Sequence, residues 1–500
     1  MSYDEFKISD QKTVVYTVNS ADLITPVSAF LQLSGIVGKN PKNIFLLESV
    51  QGGVARARYS IIGLLPDMVW KCHQGVVSLN TDPLNNPDQF VIQDIHPLES
   101  LQQFIDDSQL DIPDTIPPMV GGIFGYLGYD MVRQMEHLPS PPKNDLQLPE
   151  GIMFRPSVFA IFDTVKDELT LAVPLRGKTV EEQEKAKNLL RKAQAALNEP
   201  IPSDKKFNQT TNNHAQTPSS TFTKEEFKQA VEKAKEYIFA GDAFQVVPSQ
   251  RFSIPFKLPP VALYRSLRRI NPAPFLFCLQ LDNFALVGSS PEILVRLRDG
   301  TVTVRPLAGT RPRGKTEEED LQLEQDLLAD AKELAEHLML IDLGRNDVGR
   351  VCEVGSVKVT EQFVIERFSH VMHISSNVEG KLKQNLTALD ALIAGFPAGT
   401  LTGAPKIRAM EILDEIEHTQ RATYAGCIGY FGADGSMDTC IGLRTALIKD
   451  ETMYVQAGCG VVADSDPESE YEETKHKARA LFRAAEDAWS FVPDIDPQAH

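Results

Sequence analysis

The stretch TMYVQAGCGVVADSDPESE, residues 452–470, decides between two folds. Within it, Gly458-Cys459-Gly460-Val461-Val462-Ala463 matches the GxGxxG/A spacing of a dinucleotide-binding turn and follows a strand-like run. Such a turn needs a helix to open inside the glycine run, so that pyrophosphate sits on the helix N-terminus. Here Val461 and Val462 prolong the extended run, and Asp464-Ser465-Asp466-Pro467 delays the helix. The doubly wound, nucleotide-binding reading is therefore rejected. The glycines instead let the backbone approach a carboxylate and present N–H groups to it. Asp466 suits an N-cap and Pro467 the first helical position, so a helix is expected over 467–488.

Outward from this stretch, CIGYFGA, IGLRTALIKD and TMYVQAG alternate like hairpin strands. DLLADAKELAEHLMLIDLGRND reads as a helix running into a polar loop, and ALVGSSPEILVRLR as two strands about a Ser-Ser-Pro-Glu turn. FQVVPSQRFSI and FLFCLQL read as strands. Thr223-Lys224-Glu225-Glu226 is a capping box; Phe227, Val231, Ala234 and Ile238 follow at helical spacing, with Gly241 as the C′ residue. Before this, NIFLLES, YSIIGLL, FVIQDI, VFAIFDT and LTLAVPL read as buried strands, and TVEEQEKAKNLLRKAQAALN as an amphipathic helix. The chain thus divides into an N-terminal half (1–202), a polar linker (203–220), a larger domain (221–490) and a tail (491–500). Strands and helices come in mixed blocks rather than βαβ repeats. That predicts an α+β fold, a composite of mixed and antiparallel sheets with flanking helices.

Formal net charge is 50 − 68 = −18 over 500 residues, which makes the chain a poor non-specific ligand for nucleic acid or anionic membrane. Six scattered cysteines without a CxxC pair argue against structural zinc and a disulfide scaffold. The N-terminus lacks an apolar signal region, and no run of about 18 apolar residues occurs, so a cytoplasmic protein is expected.

Two pairs of carboxylates stand out. Glu333 and Glu336 are three apart and share a helix face; Glu470 and Glu473 have the same relation just after the glycine-rich stretch. An acidic helix face is ordinarily just solvated. Glu336, however, lies among Leu334, Leu338, Met339 and Ile341 on a helix expected to be well buried. Carboxylates completed by water and a substrate oxygen match how Mg²⁺ is held, and zinc's His/Cys set is missing. FPAGTLTGAPKIRAMEIL resembles a phosphate loop but lacks its GK[ST] ending, so ATP binding is not expected; a turn into a helix starting near Pro405 is. Arg444, Tyr424, His373 and Glu292 are polar residues in apolar strands. A lone buried His is more often a hydrogen-bonded core residue than a catalyst, whereas a buried guanidinium demands an anionic partner. The residues thus describe an anion pocket with Mg²⁺ and acid–base groups, without naming the substrate.

PLAGTRPRG, KELAEHLMLIDLGRNDVGRV, HVMHISSNVEG, GTLTGAPKIRAMEIL, YAGCIGYF, DTCIGLRTA and QAGCGVVADSDPESEYEETKHKARA, in this order, resemble the signature blocks of the chorismate-utilising enzymes. LLES (Leu46 to Ser49), RYSIIGLLP and GGIFGYLGYD extend the resemblance to the large subunits of anthranilate synthases. Family members that make isochorismate or salicylate carry a water-activating Lys where this chain has Gln245, which implies ammonia as nucleophile. Aminodeoxychorismate synthases carry Lys in place of Ala308. The resemblance implies conversion of chorismate and ammonia to anthranilate and pyruvate, the first step of tryptophan biosynthesis. Aminodeoxychorismate or isochorismate synthesis, or a non-catalytic subunit that only binds tryptophan or chorismate, remain the alternatives. By the same resemblance, Gly309, Thr310, Tyr424, Arg444, Gly458, Cys459 and Gly460 contact chorismate. Glu336 and Glu473 hold Mg²⁺ with support from Glu333 and Glu470. Glu292 is the general acid at the C4 hydroxyl, which requires a raised pKa, and His373 serves pyruvate elimination. Ser49 with Pro274, Phe275 and Leu276 resembles the site where tryptophan inhibits. No glutaminase signature is found, so a glutamine amidotransferase subunit is implied as partner, in a hetero-oligomer such as a heterotetramer.

Overall fold

The computed structural model describes residues 6–492 apart from 12, 39–40, 52–54, 57, 178, 202–216 and 369. Most of the polar linker and of the tail therefore lies outside the described residues. Of the linker, Ser219–Ser220 is a short strand on Phe252 and Ser253.

Two long antiparallel strands, Tyr59–His73 and Gly151–Asp163, form the spine, with a register shift at Arg155/Pro156. From this pair one antiparallel ladder continues through Ile44–Glu48, Phe275–Gln280, Phe284–Ser290, Thr445–Lys449, Thr452–Gly458 and Ser249–Pro255. A second leaves Gly151–Asp163 through Ile123–Leu127, Cys427–Phe431, Met437–Ile441, Ile293–Arg298, Thr301–Val304 and Val371–Lys381. The ladders face each other across a shared core of Phe45, Phe124, Tyr126, Phe154, Phe277, Leu286, Ile428 and Leu447. Phe45 and Phe124 stack there at 4.5 Å between ring centroids.

Helices cover the outer faces. Pro26–Val37, Val180–Asn198, Pro260–Ile270 and Pro467–Asp487 pack on the first ladder; Pro97–Asp106, Ala331–Val351 and Ala388–Gly395 pack on the second. Most strands are thus buried on both faces, which is why they read as continuous apolar runs rather than alternations. The architecture is α+β. Both ladders draw strands from both sides of the linker, so the boundary near 203–220 divides the sequence but not the core.

Local signals explain the element ends. Thr223 caps Lys224–Phe239 with a capping box: its side chain accepts from Glu226 N at 3.3 Å, and its own N–H donates to Glu226 Oε2 at 2.8 Å. Asp466 caps Pro467–Asp487, and Pro405 precedes Lys406–Ile416.

Several expectations are corrected. FVIQDI contains a three-residue edge strand, Val91–Gln93, paired with Val76–Asn80 on one side, and Val91 (59%) and Ile92 (72%) are exposed. FQVVPSQRFSI is not one strand but two. It splits around Val247 and Pro248 into Gln245–Val246, paired with Gly403–Ala404, and Ser249–Pro255. Pro248 has no N–H to give to a ladder, which favours the break there. The helix Ala331–Val351 runs straight through Gly344-Arg345-Asn346-Asp347, where the sequence predicts a polar loop. Gly344 suits close packing there, since a Cβ would lie 3.0 Å from Val304, and Asp347 pairs with Lys406 at 2.8 Å. That helix is also less buried than its composition predicts: Leu338 is 47% exposed, and the side bearing His337, Leu340 and Ile341 faces the core.

The six cysteines are free and buried. Among the described residues no helix is long and apolar enough to cross a membrane.

Candidate functional site

The strand Thr452–Gly458 hands over to an extended segment sewn to residues 246–248: Cys459 N–H donates to Pro248 O at 3.1 Å and Val461 N–H to Val246 O at 2.8 Å. The helix waits until Pro467, so no glycine turn opens a helix. Both glycines are required by close approach. A Cβ at Gly458 would lie 2.9 Å from Tyr424 Oη, and one at Gly460 would lie 2.8 Å from Gln245 Nε2. Lys477 Nζ donates to Gly458 O at 2.9 Å. Cys459, expected to contact ligand, has its N–H committed to Pro248 and its thiol buried in the core with Val246, Ile412 and Val461. Burial pushes that thiol well above its ordinary pKa, so Cys459 shapes the cradle from behind.

The carboxylates flank this cradle. Gln245 is buried and its Nε2 donates to Glu336 Oε1 at 2.7 Å. Burial raises the pKa of Glu336; the Gln245 hydrogen bond opposes the rise, and the charges of Glu333 and Glu473 add to it. Glu333 is raised by burial and restrained by Arg311, whose Nη1 stands 3.3 Å from Glu333 Oε1. Glu470 is also raised by burial, and its Oε2 is buried without a hydrogen-bond partner. Glu473 pairs with Lys477 at 2.6 Å. Among the described residues no three acidic, His or Cys side chains form a ready metal cage. The donors nonetheless fit a hard divalent cation: they are all carboxylates, they repel one another across two helices, and one oxygen is orphaned.

The third group surrounds a neutral imidazole. His373 Nδ1 lies 2.9 Å from Gly309 O and 3.1 Å from Thr310 Oγ1, and Nε2 lies 3.4 Å from Arg444 Nη2. A carbonyl only accepts and a guanidinium only donates, so the proton belongs on Nδ1. Burial, then the Arg444 charge, hold the His373 pKa down to about 4. Arg444 sits in the left-handed region at φ 48°, with its carbonyl taking the Ser289 N–H at 3.2 Å. Such backbone is costly for a non-glycine residue and is common where function fixes it. Glu292 Oε1 accepts from Thr400 Oγ1 at 3.0 Å and Leu307 N–H at 3.4 Å. Burial nevertheless pushes its pKa up to about 8; Thr400, Leu307 and Arg444 pull down, and Glu366 pushes up. A carboxyl still protonated near neutral pH is what a general acid needs.

These groups meet in one place. A Cβ at Gly309 would lie 3.1 Å from Glu333 Oε2, which puts the His373 strand beside the carboxylates, and the Lys477 charge reaches His373. Thr310 is exposed at the rim. Thr400 and Lys477 join the site without having stood out in the sequence. Lys477 carries a signal, four residues after Glu473 on the same helix; Thr400 carries none, because it meets Glu292 only through the fold.

Residues 66–483 match the family model described as chorismate binding enzyme. Anthranilate synthase component 1 from Cereibacter sphaeroides is 52% identical over 490 residues, covering 96% of both chains. The chain belongs to the anthranilate synthase component 1 family. The crystal structure of anthranilate synthase component I from Streptococcus pneumoniae is 36% identical, with a TM-score of 0.75, covering 85% of this chain and 92% of that one. The menaquinone-specific isochorismate synthase from Escherichia coli shares the fold at a TM-score of 0.69 and 20% identity, covering 94% of each chain.

This member of the component 1 family also holds a cavity of about 950 Å³ between its two ladders. Ser49, Pro274, Phe275 and Leu276 line it, so the structure brings the four residues of the expected tryptophan site to one wall. Leu276 pairs with Glu48 across neighbouring strands. Glu48 is fixed by Arg268 at 2.7 Å and by Tyr264 Oη at 2.5 Å.

Proposed function

We propose that this chain converts chorismate and ammonia to anthranilate, pyruvate and water, with Mg²⁺ as cofactor and a glutamine amidotransferase subunit as its ammonia source. The observation that carries the reading is Gln245. It is buried against the carboxylates, its amide is not a base, and its N–H is already given to Glu336. Members that resemble this chain but make isochorismate carry a water-activating lysine at this position, and Gln245 in its place supports ammonia as the nucleophile. Near-full-length relatives named anthranilate synthase component 1 support the same reading.

Arg444 and the cradle around Gly458 and Gly460 would hold the enolpyruvyl carboxylate. Glu336 and Glu473, aided by Glu333 and Glu470, would hold Mg²⁺. That ion would supply positive charge for the ring carboxylate. Glu292 donates its proton to the C4 hydroxyl, which leaves as water while ammonia forms the bond at C2. Loss of the C2 proton and of the enolpyruvyl group as pyruvate then aromatises the ring, beside His373. His373 is neutral, and its Nε2 stands 3.4 Å from the Arg444 guanidinium that would hold the leaving enolpyruvyl group.

The test is product analysis of the full chain with chorismate, Mg²⁺ and ammonium, then with glutamine and the partner subunit. Anthranilate fluorescence is expected in both; isochorismate or aminodeoxychorismate as the product would overturn the reading. The 950 Å³ cavity is proposed to bind tryptophan as a feedback inhibitor. Ser49→Phe fills part of that wall and is expected to raise the tryptophan concentration for half-inhibition at least about tenfold while turnover stays intact. That corresponds to a loss of about 1.4 kcal/mol of binding. Unchanged inhibition would place the inhibitor elsewhere.

A further inference from the structure

A buried ion pair lies behind the catalytic groups. Arg421 is 3% exposed and Glu417 7%. Arg421 Nε donates to Glu417 Oε2 at 2.9 Å and Nη2 to Glu417 Oε1 at 2.6 Å. The same guanidinium donates from Nη2 to Val247 O at 2.7 Å and from Nη1 to Leu401 O at 2.6 Å. Glu417 Oε1 in turn accepts from Ser249 N and Ser249 Oγ, both at 2.8 Å. The Arg421 carbonyl takes the Tyr424 N–H at 3.0 Å, and its guanidinium lies 5.0 Å from the Tyr129 ring centroid.

Each partner leads to the site. Val247, Pro248 and Ser249 follow closely on Gln245, and Pro248 O anchors Cys459 within the cradle. Leu401 follows Thr400, which donates to Glu292. Tyr424 faces Gly458. We propose that Arg421 is a positioning residue that holds the segments carrying Gln245, Thr400 and Tyr424 in one catalytic geometry. Stability alone is a weak reason for such a pair, since desolvating two charges costs about what their attraction returns, and apolar packing often does as well. A guanidinium offers what apolar packing lacks: five donors in a fixed plane, able to hold a carboxylate and two carbonyls at once. Lysine, a point charge on a flexible stem, cannot span them.

The inference rests on the proposed anthranilate-forming activity, and its test uses the full chain with Mg²⁺, chorismate and ammonium. Arg421→Lys is expected to lower kcat by roughly 100-fold, the scale of an ångström-sized misplacement, with a much smaller change in KM for chorismate. Its basic pH limb should move to higher pH. Of the groups facing Glu292, Thr400, the Leu307 N–H and Arg444 favour the carboxylate, and Glu366 opposes it. Loosening Thr400 therefore raises the Glu292 pKa. Thr400→Val should shift the limb the same way with the clamp intact. Ser249→Ala removes the hydroxyl's hydrogen bond to Glu417 and the one it accepts from Gln456 Nε2, both at 2.8 Å, and should lower kcat by roughly fivefold; Gln456→Leu, which breaks only the second, should leave the pH limb in place. A folded Arg421→Lys with wild-type kcat and pH limb, or with only a lower melting temperature, overturns the proposal. If that variant does not fold, Ser249→Ala decides: unchanged kcat and pH limb overturn it. A wild-type chain that makes no anthranilate would instead refute the proposed function, and the inference falls with it.

Discussion

Glu292→Gln is expected to lower anthranilate formation by about 10²–10⁴-fold, the usual worth of a positioned general acid. The amide keeps the shape and can still accept from Thr400 and the Leu307 N–H, so chorismate should bind nearly as before and the loss should fall on kcat. Burial pushes the Glu292 pKa up to about 8, so the wild-type acid is protonated at neutral pH. Wild-type activity should therefore decline as pH rises through about 8, and the residual activity of the variant should lack that limb. Stability gives a second readout. A carboxyl raised from 4.5 to about 8 on folding contributes its full stability below pH 4.5 and loses it as pH rises through 8. The Gln variant has no such dependence, so above pH 8 it should melt at a higher temperature than wild type. Wild-type turnover in the variant would remove Glu292 from the reaction.

The parts of the site written in local sequence were legible. Gly458 and Gly460, the delay before Pro467, and the three-residue spacings of Glu333/Glu336 and Glu470/Glu473 are short-range patterns, and the structure keeps each of them. The misread elements are those where tertiary contact overrides local preference. Gly344 and Asp347 look like helix breakers until Val304 and Lys406 are beside them. FVIQDI looks buried until it proves to be an edge. Nothing in the sequence says that Ile44–Glu48 pairs with Phe275–Gln280, or Ile123–Leu127 with Cys427–Phe431, although these pairings merge the two halves into one core. Thr400 meets Glu292, and Arg421 meets Val247, through contacts of the same long-range kind, although the carboxylate partner of Arg421, Glu417, is only four residues away.

Glu336→Gln tests the metal assignment, and it separates binding from chemistry. The amide can still accept from Gln245 Nε2, so the local hydrogen bond, now 2.7 Å, survives. What it removes is one negative charge that stands against those of Glu333 and Glu473, which raise the proton affinity of Glu336. In the metal-free state that removal relieves repulsion between Glu336 and its neighbours Glu333 and Glu473, so the variant should melt at or above the wild-type temperature in chelator. With Mg²⁺ the order should reverse. A ligand that binds only the folded state raises the melting temperature with its concentration, so wild type should be stabilised and the variant hardly at all. Turnover should fall at least about 100-fold at an Mg²⁺ level that saturates wild type, beyond what outer partners of a metal site usually cost. Glu473→Gln should behave alike, with the added release of Lys477. If both variants keep the Mg²⁺-dependent rise in melting temperature and normal turnover, the ion is held by other residues. Loss of turnover with an unchanged Mg²⁺ shift would instead make these carboxylates contacts to the substrate.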